Sequence, residues 1–168
     1  WLTGPNSGHY VGLLNQPPGN PVMLHHIASF LARKLENNKD MRVALLVIDG
    51  LAWDQWITVR QELQEQNPDL LMRESSVFAW IPTLTSVSRQ ALFAGKAPFY
   101  CPASIKSTNA EGRLCQQLWE DAGIRKNAIA YKRSLGSGSC TPIEDVIHPE
   151  RTKVLGLVVD TVDSIMHG

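Results

Sequence analysis

The chain has 168 residues and a formal net charge of zero, with 16 Lys and Arg against 16 Asp and Glu. That length suits one domain, which at this size buries about 70% of the surface its unfolded chain exposes. Zero charge removes the electrostatic case for a nucleic-acid or membrane surface, no apolar run approaches the roughly 20 residues that cross a bilayer, and no signal-peptide pattern opens the chain.

Residues 1–21, rich in Gly and Pro around Gly4-Pro5 and between Gly12 and Pro21, read as an extended lead-in, with the domain proper over 22–168. Leu24, Ile27, Ala28, Leu31 and Leu35 recur at helical spacing and define one apolar face. On that wheel His25 and His26 point away from the stripe and read as solvated. Val43-Ala44-Leu45-Leu46-Val47-Ile48 is a continuous apolar run ending in Asp49-Gly50, which suits a strand of a parallel sheet. The stretch 54–66, with Trp53, Trp56, Ile57 and Leu63 on one side, predicts a helix covering that sheet.

Ser75–Ile81 reads as a second strand, and Ile81-Pro82-Thr83 then fixes the entry into Thr85–Gly95. Here a hydroxyl stands where an apolar segment turns into a helix, with Arg89 one turn further in on the same face. A helix N-terminus offers unpaired N–H groups and a positive dipole end, so it suits an anion or a developing alkoxide. Arg89 could aim its fork at a phosphate or sulfate held over Thr85. The plain alternative is a Thr N-cap on an ordinary helix with a surface Arg.

Thr108-Asn109-Ala110-Glu111 is a capping-box signal for a helix carrying Leu114, Cys115, Leu118 and Ala122, with Gly123 closing it. Cys115 reads as core filling, and the odd set Cys101, Cys115 and Cys140 lacks metal-type spacing, which indicates reduced thiols in a cytoplasmic protein. Ala128–Tyr131 is a third strand. Residues 132–142 read as a mobile surface loop whose Gly-Ser run lacks the ending of a P-loop, and Lys132 and Arg133 there could help hold a substrate phosphate. His148 reads as surface. Val154–Val159 is the last strand, ending in Asp160 with Asp163 and His167 beyond. Strands alternating with helices imply an α/β fold with a mostly parallel sheet and helices on both faces. Ligand sites of open α/β sheets lie past the carboxyl ends of the strands, so Asp49, Asp160, Asp163 and His167 would share a rim with Thr85. Each Asp alone could be a helix N-cap; gathered together, Asp and His suit zinc or manganese.

These residues resemble the alkaline phosphatase superfamily, and within it the PglZ domains of bacterial phage-defence (BREX/Pgl) systems. Thr85, Ser88, Arg89, Leu92 and Gly95 fall at the offsets of the sulfatase pattern Cys-x-Pro-Ser-Arg-x-x-Leu-x-x-Gly, and Pro82-Thr83-Leu84-Thr85 is similar to the Pro-Thr-x-Thr of the nucleotide pyrophosphatases. Asp49 matches the superfamily's first metal-binding Asp, and Asp163–His167 matches its Asp-x-x-x-His segment. PglZ kinship rests on Ile-Asp-Gly-Leu at 48–51 and on the stretch from Pro82 to Gly95.

The resemblance implies an alkaline phosphatase-like fold, incomplete at its C-terminus because the later Asp-His pair and last His of the superfamily are not in this sequence. It implies a phosphoester, more narrowly phosphodiester, hydrolase with Thr85 as nucleophile and Arg89 neutralising the non-bridging oxygens. Two divalent ions, zinc or else manganese, would be bound by Asp49 with Thr85 and by Asp163 with His167. The substrate would be a phosphoester, with nucleotides and nucleic acid included, and the partners other phage-defence proteins. A fragment of this extent is expected to be inactive alone. The rival reading is a non-catalytic interaction module that keeps the fold; a third is a flavodoxin-like domain without metal affinity.

Overall fold

The computed structural model describes residues 10, 12–14, 16, 20–100, 106–136 and 141–167. The lead-in falls mostly outside these, as do Cys101, Cys140 and the Gly-Ser run at 137–139; Tyr10, Gly12 and Leu13 have helical backbone. The elements in chain order are α1 (His26–Asn37), β1 (Val43–Ile48), α2 (Trp53–Gln66), α3 (Thr85–Ala94), α4 (Glu111–Asp121), β2 (Ile129–Leu135), β3 (Val154–Val159) and α5 (Thr161–His167), with a helical turn at Thr141–Glu144.

The three strands form a parallel sheet in the order β1-β3-β2. On the central strand, β3, Val154 and Val158 are fully buried. Gly156 belongs there because a Cβ would meet the Tyr131 ring, Cys115 Sγ and the Phe93 ring at 3.1–3.3 Å. That face is covered by Ala32 and Leu35 of α1, Phe93 of α3, and Cys115 and Trp119 of α4. The other face is more open. Leu46 is 53% exposed there and lines a cleft with Ile48, Trp53 and Trp56.

α3 is buried on two sides. Phe93 enters the sheet-facing core, while Val87 and Ala91 join a second cluster with Met23, Trp80 and Ala97, which Tyr10, Leu13 and Leu14 pack against. This second cluster explains a correction: His25 and His26 are buried, not solvated. The wheel identified the most apolar face of α1, but Trp80 and residues before the helix close over its start as well. His26 Nδ1 faces the Met23 N–H at 3.3 Å, and Nε2 faces the Leu14 carbonyl at 3.4 Å. Burial, and then the neighbouring His26, lower the His25 pKa to about 4.

Three other expectations change. Ser75–Ile81 is not a strand: only Phe78 pairs, through a single parallel bridge to Met23. Its neighbour is the Gly/Pro-rich entry to α1, which offers no continuous ladder. α2 forms, but buries none of its residues, so it flanks the sheet instead of covering it. It is tied down by polar contacts, with Trp56 Nε1 and Arg60 both donating to Glu74 at 2.8 and 2.6 Å. Finally, Lys132 and Arg133 lie in β2, not in a loop, and Arg133 donates to Thr108 and Asn109. His148 is exposed, as its sequence context indicates.

Candidate functional site

The rim at the carboxyl ends of β1 and β3 is built by short-range geometry. The Asp49 N–H donates to Val159 O at 2.9 Å, so the ladder carries Asp49 just past the strand end. Gly50 then turns at φ +74°, and a Cβ there would lie 3.0 Å from both N and Cα of Asp163. Only glycine lets the Asp49 turn approach the first turn of α5 this closely. Asp49 and Asp163 therefore share one rim, as the sequence predicts. Asp160 immediately precedes α5, its carbonyl accepting both the N–H and the hydroxyl of Ser164. The side chain of His167 lies outside the described residues.

Thr85 is the first residue of α3, and Leu84 is its N-cap in extended conformation with no side-chain cap bond. The Thr85 hydroxyl is therefore not used to cap the helix, which removes the plain alternative. It has no hydrogen-bond partner among the described residues. Gly95 ends the helix at φ +59°, where a Cβ would strike Leu118 Cδ1 at 2.8 Å. Beside the helix start, Trp80, Ile81, Leu84, Val87 and Phe99, with Lys106 at the edge, line an open cleft of about 600 Å³.

Arg89 connects the helix that begins at Thr85 to the strand end. It is 7% exposed, Nη1 donates to Asp49 Oδ2 at 3.1 Å, and Nη2 donates to Glu111 Oε2 at 2.7 Å. Burial alone would lower its pKa, but the hydrogen bonds and charges of Glu111 and Asp49 outweigh it, and the pKa moves up. Arg89 is always charged here, and its fork is committed to two carboxylates instead of standing open over Thr85.

Glu111 is the residue that sequence reasoning assigned wrongly. The capping box is absent: Ala110 is the N-cap without a side-chain bond, and Glu111 opens α4 fully buried. The Tyr131 hydroxyl donates to the same Glu111 Oε2 at 2.7 Å. Burial, then the bond to Glu111, raise the Tyr131 pKa, so the phenol stays protonated. A Glu three residues after Thr is equally good as a cap or as a buried counter-ion, and only its packing decides between them. Cys115 is buried as expected, and burial raises its thiol to about 12.

The charges of this cluster do not balance. One guanidinium faces two carboxylates, and Glu111 Oε1 is buried without a partner. Buried excess negative charge is costly unless a cation is near. Asp49 and Asp163 approach each other on this rim across the Gly50 turn, and carboxylate oxygens are ligands that a hard or borderline divalent ion accepts. Among the described residues no group of three His, Cys, Asp or Glu gathers as a metal site. No helix among them is long and apolar enough to cross a membrane.

The family model of the BREX system PglZ alkaline phosphatase-like domain matches residues 29–168. A comparison with curated proteins finds no match. With the parallel α/β sheet and the placement of Asp49 and Asp163 on one rim, the match means that this chain belongs to the PglZ alkaline phosphatase-like domain family of BREX systems.

Proposed function

We propose that the chain carries the nucleophile-bearing part of a metal-dependent phosphodiesterase of a cytoplasmic phage-defence protein. The observation that supports this most is the bridge from Arg89 to Asp49, because it ties the helix that begins at Thr85 to the carboxylate at the end of β1. Family membership supplies the reaction class, phosphoester hydrolysis.

Asp49 with Thr85, and Asp163 with His167, would each hold one divalent ion, zinc or alternatively manganese. Such ions supply neutralisation of phosphate charge and make a coordinated hydroxyl easier to deprotonate. Thr85 Oγ attacks phosphorus, its proton leaves to solvent, and the P–O bond to the alcohol opposite breaks. The departing alkoxide takes up a proton. Water then attacks the phosphothreonine, the P–Oγ bond breaks, and the Thr85 hydroxyl is restored. The unpaired N–H groups at the start of α3 favour the anionic oxygens throughout. Arg89 acts by holding Asp49 in place, since both arms of its fork are already engaged. A diester needs room for its second substituent, and the open apolar cleft beside Leu84 and Phe99 supports this reading.

The rival reading, an interaction module that retains the fold, draws support from the lack of a three-residue metal cluster among the described residues. Both readings meet one experiment. Hydrolysis of bis(4-nitrophenyl) phosphate by the full-length protein, with and without zinc or manganese, is compared with Thr85→Ala. Metal-dependent turnover that falls by roughly a thousandfold or more in the variant is expected for a nucleophile. Absence of turnover with either metal in folded protein favours the interaction module.

A further inference from the structure

We infer that Glu111 is a positioning residue that sets the charge of the rim: by engaging Arg89 from behind, it leaves Asp49 enough negative charge to attract a divalent cation. This rests on the proposed role of Asp49 as a metal ligand. The geometry is specific. Arg89 is bonded to Asp49 through Nη1 and to Glu111 through Nη2, so one positive charge is divided between two carboxylates. With Asp49 as its sole partner, the guanidinium would cancel that carboxylate and set a full positive charge beside the ion.

Two details argue for a tuned group over a chance buried counter-ion. Glu111 has no exposure and its Oε1 has no partner, an arrangement that costs stability, and an apolar side chain could fill the same volume at lower cost. In addition, Tyr131 reaches the carboxylate only because Gly112 follows Glu111. A Cβ at Gly112 would lie 2.9 Å from Tyr131 Cδ1. The phenol thus stabilises the Glu111 charge with a neutral donor and leaves the charge itself uncancelled.

The test is Mn²⁺ binding by the full-length protein, measured calorimetrically at a temperature where circular dichroism shows each variant folded. Glu111→Gln keeps the shape and an acceptor oxygen but removes the charge. It should weaken Mn²⁺ binding at least about tenfold, in the range typical of residues supporting metal ligands. The double variant Arg89→Gln/Glu111→Gln removes both charges and should bind more tightly than Glu111→Gln and within about tenfold of the wild type, the remaining loss coming from Arg89 no longer holding Asp49. A merely structural role predicts the opposite order, the double variant binding no better than the single one. Wild-type affinity in Glu111→Gln, or failure of the double variant to recover, overturns the inference. If Glu111→Gln does not fold, the double variant decides, since it buries no unpaired charge. Asp49→Asn is the separate control: if it binds Mn²⁺ as tightly as the wild type, the metal-ligand reading itself fails, whatever Glu111 does.

Discussion

α2 and α3 are both amphipathic helices of ordinary length, yet they are held in opposite ways. In α3 the residues Val87 and Arg89 to Ala94 are buried, whereas α2 buries none and leaves Trp53 65% exposed. α3 lies between two apolar clusters, and α2 is fastened by Glu74 from a segment without regular structure. The difference sets how firmly each helix is held. Thr85 and Arg89 sit on the helix whose position is fixed by packing on two sides, which suits groups that must be held to a fraction of an ångström. Polar ties on a partly exposed surface contribute little and permit movement.

The comparison is open to direct attack by mutation. The largest effect is expected at Trp119, 1% exposed in the core beneath α3. Trp119→Ala should cost about 3–5 kcal/mol and lower the melting temperature by roughly 10 °C. Trp53→Ala in α2 should move stability by no more than about 0.5 kcal/mol. Equal losses in calorimetric melts would show that α2 is packed as firmly as the core beneath α3, and the contrast would collapse.

A middle-sized effect is expected from pH, and it probes the second cluster that encloses the start of α1. The His25 pKa falls from about 6.5 in the unfolded chain to about 4 when folded, so the unfolded chain binds more protons between these values. Stability should be fully present above about pH 6.5 and decline as pH falls towards 4, by roughly 2 kcal/mol. His25→Phe keeps an aromatic ring against Trp80, with which His25 is in contact at 5.2 Å between ring centroids. Urea titrations of this variant should show a flatter acid limb than the wild type, and an unchanged limb would assign the acid loss to other groups.

The smallest effect belongs to the latch on α2. Glu74→Gln removes the charge that Arg60 pairs with and should change global stability by less than about 1 kcal/mol. It should still speed amide hydrogen exchange within 53–66. Exchange as slow as in the wild type would mean that apolar contacts, not Glu74, hold this helix.

Several features were legible because they are local. The apolar runs at 43–48 and 154–159 are strands with nearly the expected ends, and α1, α2 and α3 start within two residues of their signals. Gly123 closes α4 as its sequence suggests, with Ile124 N–H reaching Trp119 O and Gly123 N–H reaching Glu120 O. Failures came where a pattern had two physical outcomes. Ser75–Ile81 has the composition of a strand but no neighbour to pair with beyond Phe78, and strand formation requires a partner. His25 and His26 lie off the apolar stripe, yet a second layer arrives from Trp80 and from residues before α1.

The sequence by itself determined the parallel α/β class, the strand ends that carry Asp49 and Asp160, and the helix that begins at Thr85. Those follow from periodicity and capping, which act over a few residues. Only the tertiary structure decided what Arg89 does. Its partners are 40 and 22 residues away in the chain, and Tyr131 joins from 20 residues beyond Glu111. Side chains so far apart meet through the packing of α3, α4 and the sheet, and no local rule says whether a Glu at a helix start faces water or a buried guanidinium.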